Sequence, residues 1–439
     1  MTTIVQDRVG HRVLWAQGTS EDAEVSQAIA TLLADELSAA AAVQIALLSN
    51  RRLQATYEDL GIAQADLVQA GLLRNPVFLG VARFSDSSSS GTNTEFSLVQ
   101  DFLDIFLRPA RKKLAAAEFE AAKLRVANAV LILAAETKSA YYRLQGDMHL
   151  TAMLRTITEA SEAANSFAQR QHAAGNIADL DLAAQRGLYE QARVELVISE
   201  AAVMSHRERL TRLMGLWGMN TQWRISERLP NIPEEELPLA HLESLAISQR
   251  LDLAAERWEV ERIAKALSIT IHWRYVPLLE VGMETEREPD GERVTGPSLA
   301  IALPVFDQGQ ARVARVESIL RQSRQRMAAL AIDIRSEVRD GRNQLQLARE
   351  LADHYRTVLI PVREQIVAES QRYYNFMLIG VYQLLEAKQD EIDAYRGYIE
   401  AVRDYWVARA NLERTVGGRL ALTAARREAG HAHENEPPR

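Results

Sequence analysis

The 439-residue chain contains no cysteine, which removes thiol nucleophiles, thiolate-bound metals and disulfides together. Proline is sparse: twelve in all, none between Pro109 and Pro230, and only Pro361 between Pro304 and Pro437. Long proline-free stretches suit very long helices and exclude an all-β chain. Lysine is scarce too, six of 51 cations, and 59 acids leave a net charge of −8, the wrong sign for a nucleic-acid binder. The most apolar short run, Val130 to Ala135, falls far below the ~18 residues of a membrane-spanning helix. Residues Met1-Thr2-Thr3-Ile4-Val5-Gln6-Asp7 hold no basic region leading into an apolar core, so no signal peptide is visible.

What is present is a duplication. Ala46–Leu53 answers to Ala246–Leu253 at an offset of 200, and Pro76 to Pro277 at 201. Leu210–Gly215 answers to Leu412–Gly417 at 202, and Gly175 pairs with Gly380 as a glycine inside each long helical region. Matches in one order over this distance indicate a tandem repeat of a large unit rather than a short-period solenoid.

Each unit reads as helix, two strands and a long helical hairpin, giving a mainly α chain with a small β part. After an N-terminal segment, 1–35, the first repeat spans 36–217. It has a helix over Glu36–Gln69, strands over 76–85 and 94–103 around the polar loop Asp86–Asn93, and a hairpin over 109–214 with its tip near 175. Pro109 suits a first helical turn, and Asp179 suits the start of the returning helix. A linker, 218–238, carries Pro230, Pro233 and Pro238. The second repeat, 239–417, has a helix over Leu239–Trp273, strands over 276–285 and 295–303, and a hairpin over 310–416 that runs as Gln310–Leu378, breaks near Gly380 and returns. The tail is 418–439.

Small residues recur at heptad spacing in the first hairpin: Leu114, Ala121, Asn128, Ala135 and Tyr142, with Ala117, Leu124 and Leu131 alongside. That pattern alone fits a soluble coiled-coil scaffold. The strands pull the other way. Apolar residues alternate as Val77/Leu79/Val81, Phe96/Leu98, Leu279/Val281/Met283 and Leu299/Ile301/Leu303, opposite Gly80/Ala82, Glu95/Ser97/Asp101, Glu280/Gly282/Glu284 and Ser298/Ala300/Ala302. Alternating runs of ~9–11 residues fit transmembrane β-strands. Four strands cannot close a barrel, and an open edge is intolerable in lipid, so copies must pool them. Two copies give eight strands and three give twelve; only the larger barrel leaves a clear aqueous lumen.

No enzyme signal is present. The nine histidines form no i,i+4 pair on a helix; His431-Ala432-His433 could chelate weakly but reads better as solvated tail, and His172 near the first tip fits either a metal contact or an exposed helix end. Gly215-Leu216-Trp217-Gly218 and Gly417-Gly418 lack the Lys/Ser of a phosphate loop. Asp101, Asp104 and Glu136 lie on different elements and make no acid–base pair. No cofactor or metal ligand set is implied.

Several motifs carry a family resemblance: Ala42-Val43-Gln44-Ile45-Ala46-Leu47-Leu48-Ser49-Asn50, Ala70-Gly71-Leu72-Leu73-Arg74-Asn75-Pro76 and Gly175-Asn176-Ile177-Ala178-Asp179-Leu180. With them stand Arg250–Glu256, Leu303-Pro304-Val305-Phe306-Asp307-Gln308-Gly309 and the Gly380 break. Over roughly residues 36–418 the chain resembles the TolC-type outer membrane factors of Gram-negative bacteria, in particular the heavy-metal efflux branch that serves resistance–nodulation–division pumps. The resemblance implies a homotrimer with a twelve-stranded β-barrel in the outer membrane, continued by a periplasmic α-helical barrel. It implies a passive export duct for metal cations or small toxic compounds, partnered by a periplasmic adaptor protein, an inner-membrane pump and outer-membrane lipid. Family members carry an export signal, often ending in a lipid-bearing cysteine, so the chain is read as starting downstream of the processing site. The hairpin tips, Gly175, Asn176, Ile177 and Ile379, Gly380, Val381, are then expected to meet the adaptor. Glu386 matches the slot of an acidic entrance ring, with Asp179 and Asp181 near the first tip and Ala183 in the corresponding slot.

Overall fold

The computed structural model describes residues 8–11, 13–15, 20–84, 92–234, 239–288 and 290–419. The first repeat contains α1 (Ser20–Ala34), α2 (Ala39–Ser49), α3 (Arg51–Ala70), β1 (Val77–Arg83), β2 (Asn93–Asp101), α4 (Leu103–Ala173) and α5 (Asp179–Met214). The second contains α6 (Leu242–Gln249), α7 (Leu251–Trp273), β3 (Leu279–Arg287), β4 (Arg293–Ile301), α8 (Gln310–His354), a π-helical turn (Tyr355–Leu359), α9 (Ile360–Asn375) and α10 (Val381–Val416). Most of the polar loop Asp86–Asn93, Pro238 and the tail from 420, with His431 and His433, lie outside the described residues. The chain divides into a hairpin unit, residues 1–55, 127–250 and 333–439, and a sheet unit, 56–126 and 251–332.

In the hairpin unit, the single helices expected over 36–69 and 239–273 are each broken, at Asn50 and at Arg250. The break at Asn50 is held by its own side chain. Oδ1 accepts the Leu53 N–H at 3.0 Å and Nδ2 donates to the Leu213 carbonyl at 2.8 Å. Beside it, Gly215 ends α5 at φ +68°, and a Cβ there would press on the Ser49 carbonyl. Gly417 ends α10 at φ +94° against Gln249 and Arg250, so both repeats seat a left-handed helix end on a helix break.

The core of this unit includes Leu37, Ile45, Leu47, Leu144, Leu210, Met214, Ile334, Leu345, Tyr405 and Leu412. Its buried positions explain the π-helical turn. Before the turn, buried Leu133, Thr137, Ala140, Leu144 and Thr151 match buried Ile334, Val338, Gly341, Leu345 and Ala352 at an offset of 201. Past the turn the offset is 202. The wide turn at 355–359 therefore absorbs one extra residue without breaking the helix, where a continuous helix over 310–378 was expected. The linker contributes as well, through a 3₁₀ turn at Gly218–Thr221 and buried Trp223. The tail is anchored at its start, where the Arg419 N–H donates to the Arg8 carbonyl.

The sheet unit holds one antiparallel sheet in the order β1-β2-β3-β4, so the two repeats join through β2 and β3. Strand ends differ from the expected 76–85, 94–103, 276–285 and 295–303 by up to three residues. Helix α4 starts before Pro109, which lies inside it. The reason is a side-chain cap: Asp101 Oδ1 accepts the Asp104 N–H at 3.1 Å. Buried Asp104 in turn accepts the Arg74 N–H at 3.1 Å and pairs with Arg111 at 2.7 Å, tying the strand-to-helix junction together.

Register decides which residues share a face. Pairing of Gly80 with Phe96, Leu98 with Met283 and Val281 with Leu299 collects Phe78, Gly80, Ala82, Phe96, Leu98, Leu279, Val281, Met283, Leu299 and Ile301 on one side. Pairing of Glu95 with Glu286, Ser97 with Glu284 and Asp101 with Glu280 collects five carboxylates on the other. Val77, Leu79 and Val81 fall on that acidic side, opposite Val99, Ser97 and Glu95. The expected faces of β1 are thus reversed, since alternation within a strand gives two faces but not their alignment with the neighbour.

Candidate functional site at the hairpin turns

The two hairpin turns of the hairpin unit are copies of one another. In the first, the Gly175 N–H donates to the His172 carbonyl at 2.8 Å and the Asn176 N–H to Gln171 at 2.9 Å. In the second, the Met377 N–H donates to Tyr374 at 2.9 Å and the Leu378 N–H to Tyr373 at 2.9 Å. Gly175 has φ +74° and Met377 φ +58°, the left-handed residue that closes a helix C-terminus. The expected pairing of Gly175 with Gly380 is therefore displaced. Gly380, at φ −82° and ψ 163°, is the extended residue that opens α10, and Ala178 is its counterpart before α5. At this offset Glu386 answers to Ala184, not Ala183.

Each opening turn is closed by a side chain from its third helical residue. Asp181 accepts the Ala178 N–H at 3.3 Å, and Gln383 accepts the Gly380 N–H at 3.3 Å. Across the first turn His172 Nε2 lies 2.6 Å from Asp179 Oδ1, a contact that the spacing of seven residues across a turn does not advertise. The second turn is mostly apolar and open: Phe376, Met377, Leu378, Val381 and Tyr382 are exposed, Met377 by 92%. Leu180 is exposed on the first.

Two bonds link the hairpins. The Tyr382 hydroxyl donates to Asp181, and the Arg396 guanidinium donates to Glu195. Both pairs are separated by 201 residues, so α5 and α10 run parallel and nearly in repeat register. The bond to Asp181 is the main cause that raises the Tyr382 phenol above its usual range. At Glu195, burial pushes the carboxyl up, but hydrogen bonds from Gln191 and Arg396 hold it below the usual range. Tyr395, bonded to Glu364 at 2.5 Å, is pushed up to about 12.

Of the expected ring residues, Asp179 and Asp181 are engaged by His172 and Tyr382, while Glu386 is exposed on α10. Its neighbour Lys388 pairs with Glu391 instead. No hydrogen bond or ion pair among the described residues joins Glu386 to either aspartate. Tyr382, Met377, the contact of His172 with Asp179 and the Arg396–Glu195 pair are not foreseen from the sequence. The only signal for the last is that the partners stand one residue off the repeat offset. Among the described residues no cluster of three His, Asp or Glu is placed to hold a metal, and no helix is long and apolar enough to cross a membrane.

Comparison with known proteins matches residues 42–216 to the family described as outer membrane efflux protein. The chain is 24% identical over 396 residues to the cobalt-zinc-cadmium resistance protein CzcC of Cupriavidus metallidurans, covering 88% of this chain and 91% of that protein. Among solved structures it is similar to the CmeC outer membrane channel of Campylobacter jejuni, with a TM-score of 0.74 at 14% identity over 88% of each chain. It is also similar to the outer membrane protein VceC of Vibrio cholerae, with a TM-score of 0.70 at 15% identity over 91% of this chain and 97% of that one.

Proposed function

We propose that the protein is the outer-membrane channel of a tripartite efflux system, a homotrimer that conducts metal cations or small toxic compounds out of the cell. It is a passive duct and not an enzyme. The observation that carries the reading is the two-sided sheet. One face presents exposed Phe78, Phe96, Leu98, Val281, Met283, Leu299 and Ile301 without a carboxylate, and the other presents Glu95, Asp101, Glu280, Glu284 and Glu286. A contiguous apolar face of this kind needs a cover, and lipid outside with water inside satisfies both faces. The outer edges of β1 and β4 have no strand partner among the described residues. Because the strands follow sequence order and alternate in direction, β4 of one copy can receive β1 of the next antiparallel. Three copies then close twelve strands around an aqueous lumen.

At the strand-to-helix junction Phe102 meets Phe106 edge-to-face at 5.7 Å between centroids and Phe106 stacks on Trp273 at 6.0 Å, as in the aromatic girdle of a membrane barrel. Long helical hairpins continue into the periplasm, where the exposed turns around Gly175–Ile177 and Phe376–Val381 meet a periplasmic adaptor. Three copies of Glu386, with Asp179 and Asp181 nearby, surround the entrance. The partner pump in the inner membrane is of the resistance–nodulation–division type. Similarity to a cobalt-zinc-cadmium resistance protein favours metal cations as cargo, and an acidic lumen attracts them. The test is fractionation followed by native mass measurement of detergent-extracted protein and conductance in a planar bilayer. Three copies in the outer membrane with stable conductance are expected; a monomer without conductance overturns the reading.

A further inference from the structure

Positive charge gathers at one place in the hairpin unit. The chain as a whole carries a net charge of −8, yet a cavity of about 200 Å³ is ringed by Arg8, His11, Lys138, Arg414 and Arg419, with Glu413 as its one acid among the described residues. Lys138 of α4 takes up that acid, its Nζ donating to Glu413 at 2.7 Å. No carboxylate among the described residues pairs with Arg8, Arg414 or Arg419. Arg8 is held by carbonyls instead, donating to Gln249 and, at 3.1 Å, to Gly417, which orients its guanidinium without neutralising it. Val43 of α2 and Leu131 of α4 wall the same cavity, and apolar walls strengthen the field of the charges beside them. His11 registers that field. Burial first, then Arg419 and more weakly Lys138, hold its imidazole below the usual range, against a hydrogen bond with Gln44 that acts the other way.

The other repeat treats the same position differently. Lys138 answers to Arg339 at an offset of 201, and Val43 to Glu243 at 200. Arg339 lies 3.9 Å from Glu243, so the second repeat sets a carboxylate beside its cation where the first sets a valine. Like charges gathered beside apolar walls repel one another, and the chain supplies no anion here to balance the three arginines.

We propose that this cavity binds a small phosphate-like oxyanion, held by the guanidinium groups of Arg8, Arg414 and Arg419 beside Lys138. Guanidinium matches the paired oxygens of phosphate in geometry as well as in charge. The volume far exceeds the ~10–15 Å³ that one water needs and falls short of the ~300–1,000 Å³ pockets of drug-sized ligands. A single small anion therefore fits, and a nucleotide does not. The anion would tie together the N-terminal residues 8–11, the start of α2 and the end of α10, where Gly417 sits against Gln249 and Arg250. All the residues that form the site belong to one chain, so it stands apart from the trimeric reading above.

Calorimetric titration of the full chain in detergent, with sodium phosphate compared with sodium chloride at equal ionic strength, tests the site. One phosphate per chain is expected. Phosphate should also raise the midpoint of thermal unfolding above that in chloride, since a ligand bound only by the folded state stabilises it. Arg414→Gln and Arg419→Gln should each weaken binding at least tenfold and shrink the phosphate-dependent shift. Arg212→Gln, at the position of α5 that answers to Arg414 and outside the cavity, should change neither. Glycerol 3-phosphate identifies the source of the anion. A site that takes it as well as phosphate accepts a lipid headgroup, and one that takes phosphate alone accepts the free ion. Absence of binding at tens of millimolar phosphate, or equal affinity in the wild type and in Arg414→Gln/Arg419→Gln, overturns the site.

Discussion

Gly175 and Met377 hold the same left-handed backbone conformation, at φ +74° and +58°, 202 residues apart. One repeat uses the residue that adopts this conformation freely and the other forces a methionine into it. Met377 is almost fully exposed, so no packing of its side chain repays the conformation. An apolar tip with a strained backbone fits a surface kept for contact with another protein.

The two turns should respond oppositely to substitution. Gly175→Ala should weaken the first turn by roughly 1 kcal/mol, and Met377→Gly should strengthen the second by up to about the same. Gly380→Ala should change little, since its backbone is extended and a Cβ there meets open space. Amide hydrogen exchange at Asn176 and Leu378, whose N–H groups close the turns, measures all three.

The helix breaks carry more energy. Asn50→Ala leaves the Leu53 N–H and the Leu213 carbonyl without partners and should cost about 2–3 kcal/mol. Gly215→Ala adds a left-handed penalty to a clash with the Ser49 carbonyl and should cost roughly 3 kcal/mol or more. Gly187→Ala, inside α5 with open space around it, should instead stabilise by up to about 1 kcal/mol. Midpoints of thermal unfolding in detergent rank the variants; a Gly215→Ala protein as stable as Gly187→Ala would refute the packing described.

Repeat, long helices and strand-like runs were legible because they rest on spacing and on where proline stands. The break at Asn50 was not, because it depends on the carbonyl of Leu213 far along the chain, while Ala- and Leu-rich sequence continues on both sides. A glycine search finds Gly380 but misses Met377, whose conformation no propensity announces. The β1 faces failed for a related reason: register, which puts Gly80 opposite Phe96, is a property of two strands. Asp179 does begin the returning helix, as its type suggests, but the partners of Asp179 and Asp181, His172 and Tyr382, come from across a turn and from the other repeat.

Tyr382→Phe removes the hydroxyl that ties α10 to Asp181 and should free the second hairpin at the entrance. Single-channel conductance of the purified protein should rise or open more often, and Asp181→Asn should act in the same direction. Alkali should mimic the phenylalanine variant. The bond raises the phenol, so the protonated donor is favoured in the folded state. Its contribution is complete below the ordinary tyrosine value near 10 and is lost as pH rises beyond it. Conductance independent of Tyr382 across pH 7 to 11 would dissociate this bond from the entrance.

Charge on the inner sheet face should set ion selectivity. Glu284, Glu286 and Glu280 lie along β3 on the side that faces water in a closed barrel, and three copies multiply them. A potassium chloride gradient across a planar bilayer should give a cation-selective reversal potential, reduced by the triple variant Glu280→Gln/Glu284→Gln/Glu286→Gln. Substituting Met283 on the opposite face with glutamate should instead impair insertion into the outer membrane, because the proposed barrel turns that face toward lipid.

Glu386 provides the test at the other mouth. Three copies around the axis would bring like charges together and favour a bound divalent cation. The structure sharpens the expectation, because Asp179 and Asp181 are held by His172 and Tyr382, which leaves Glu386 as the uncommitted carboxylate. Lys388 does not neutralise it, being paired with Glu391. In a planar bilayer, divalent cations on the periplasmic side should block the wild-type channel, and Glu386→Gln should relieve the block at least several-fold. Asp179→Asn, by contrast, should leave the block near wild type. If divalent block is absent, or survives Glu386→Gln unchanged, Glu386 lies outside the conducting path and the entrance is set by the hairpin turns alone.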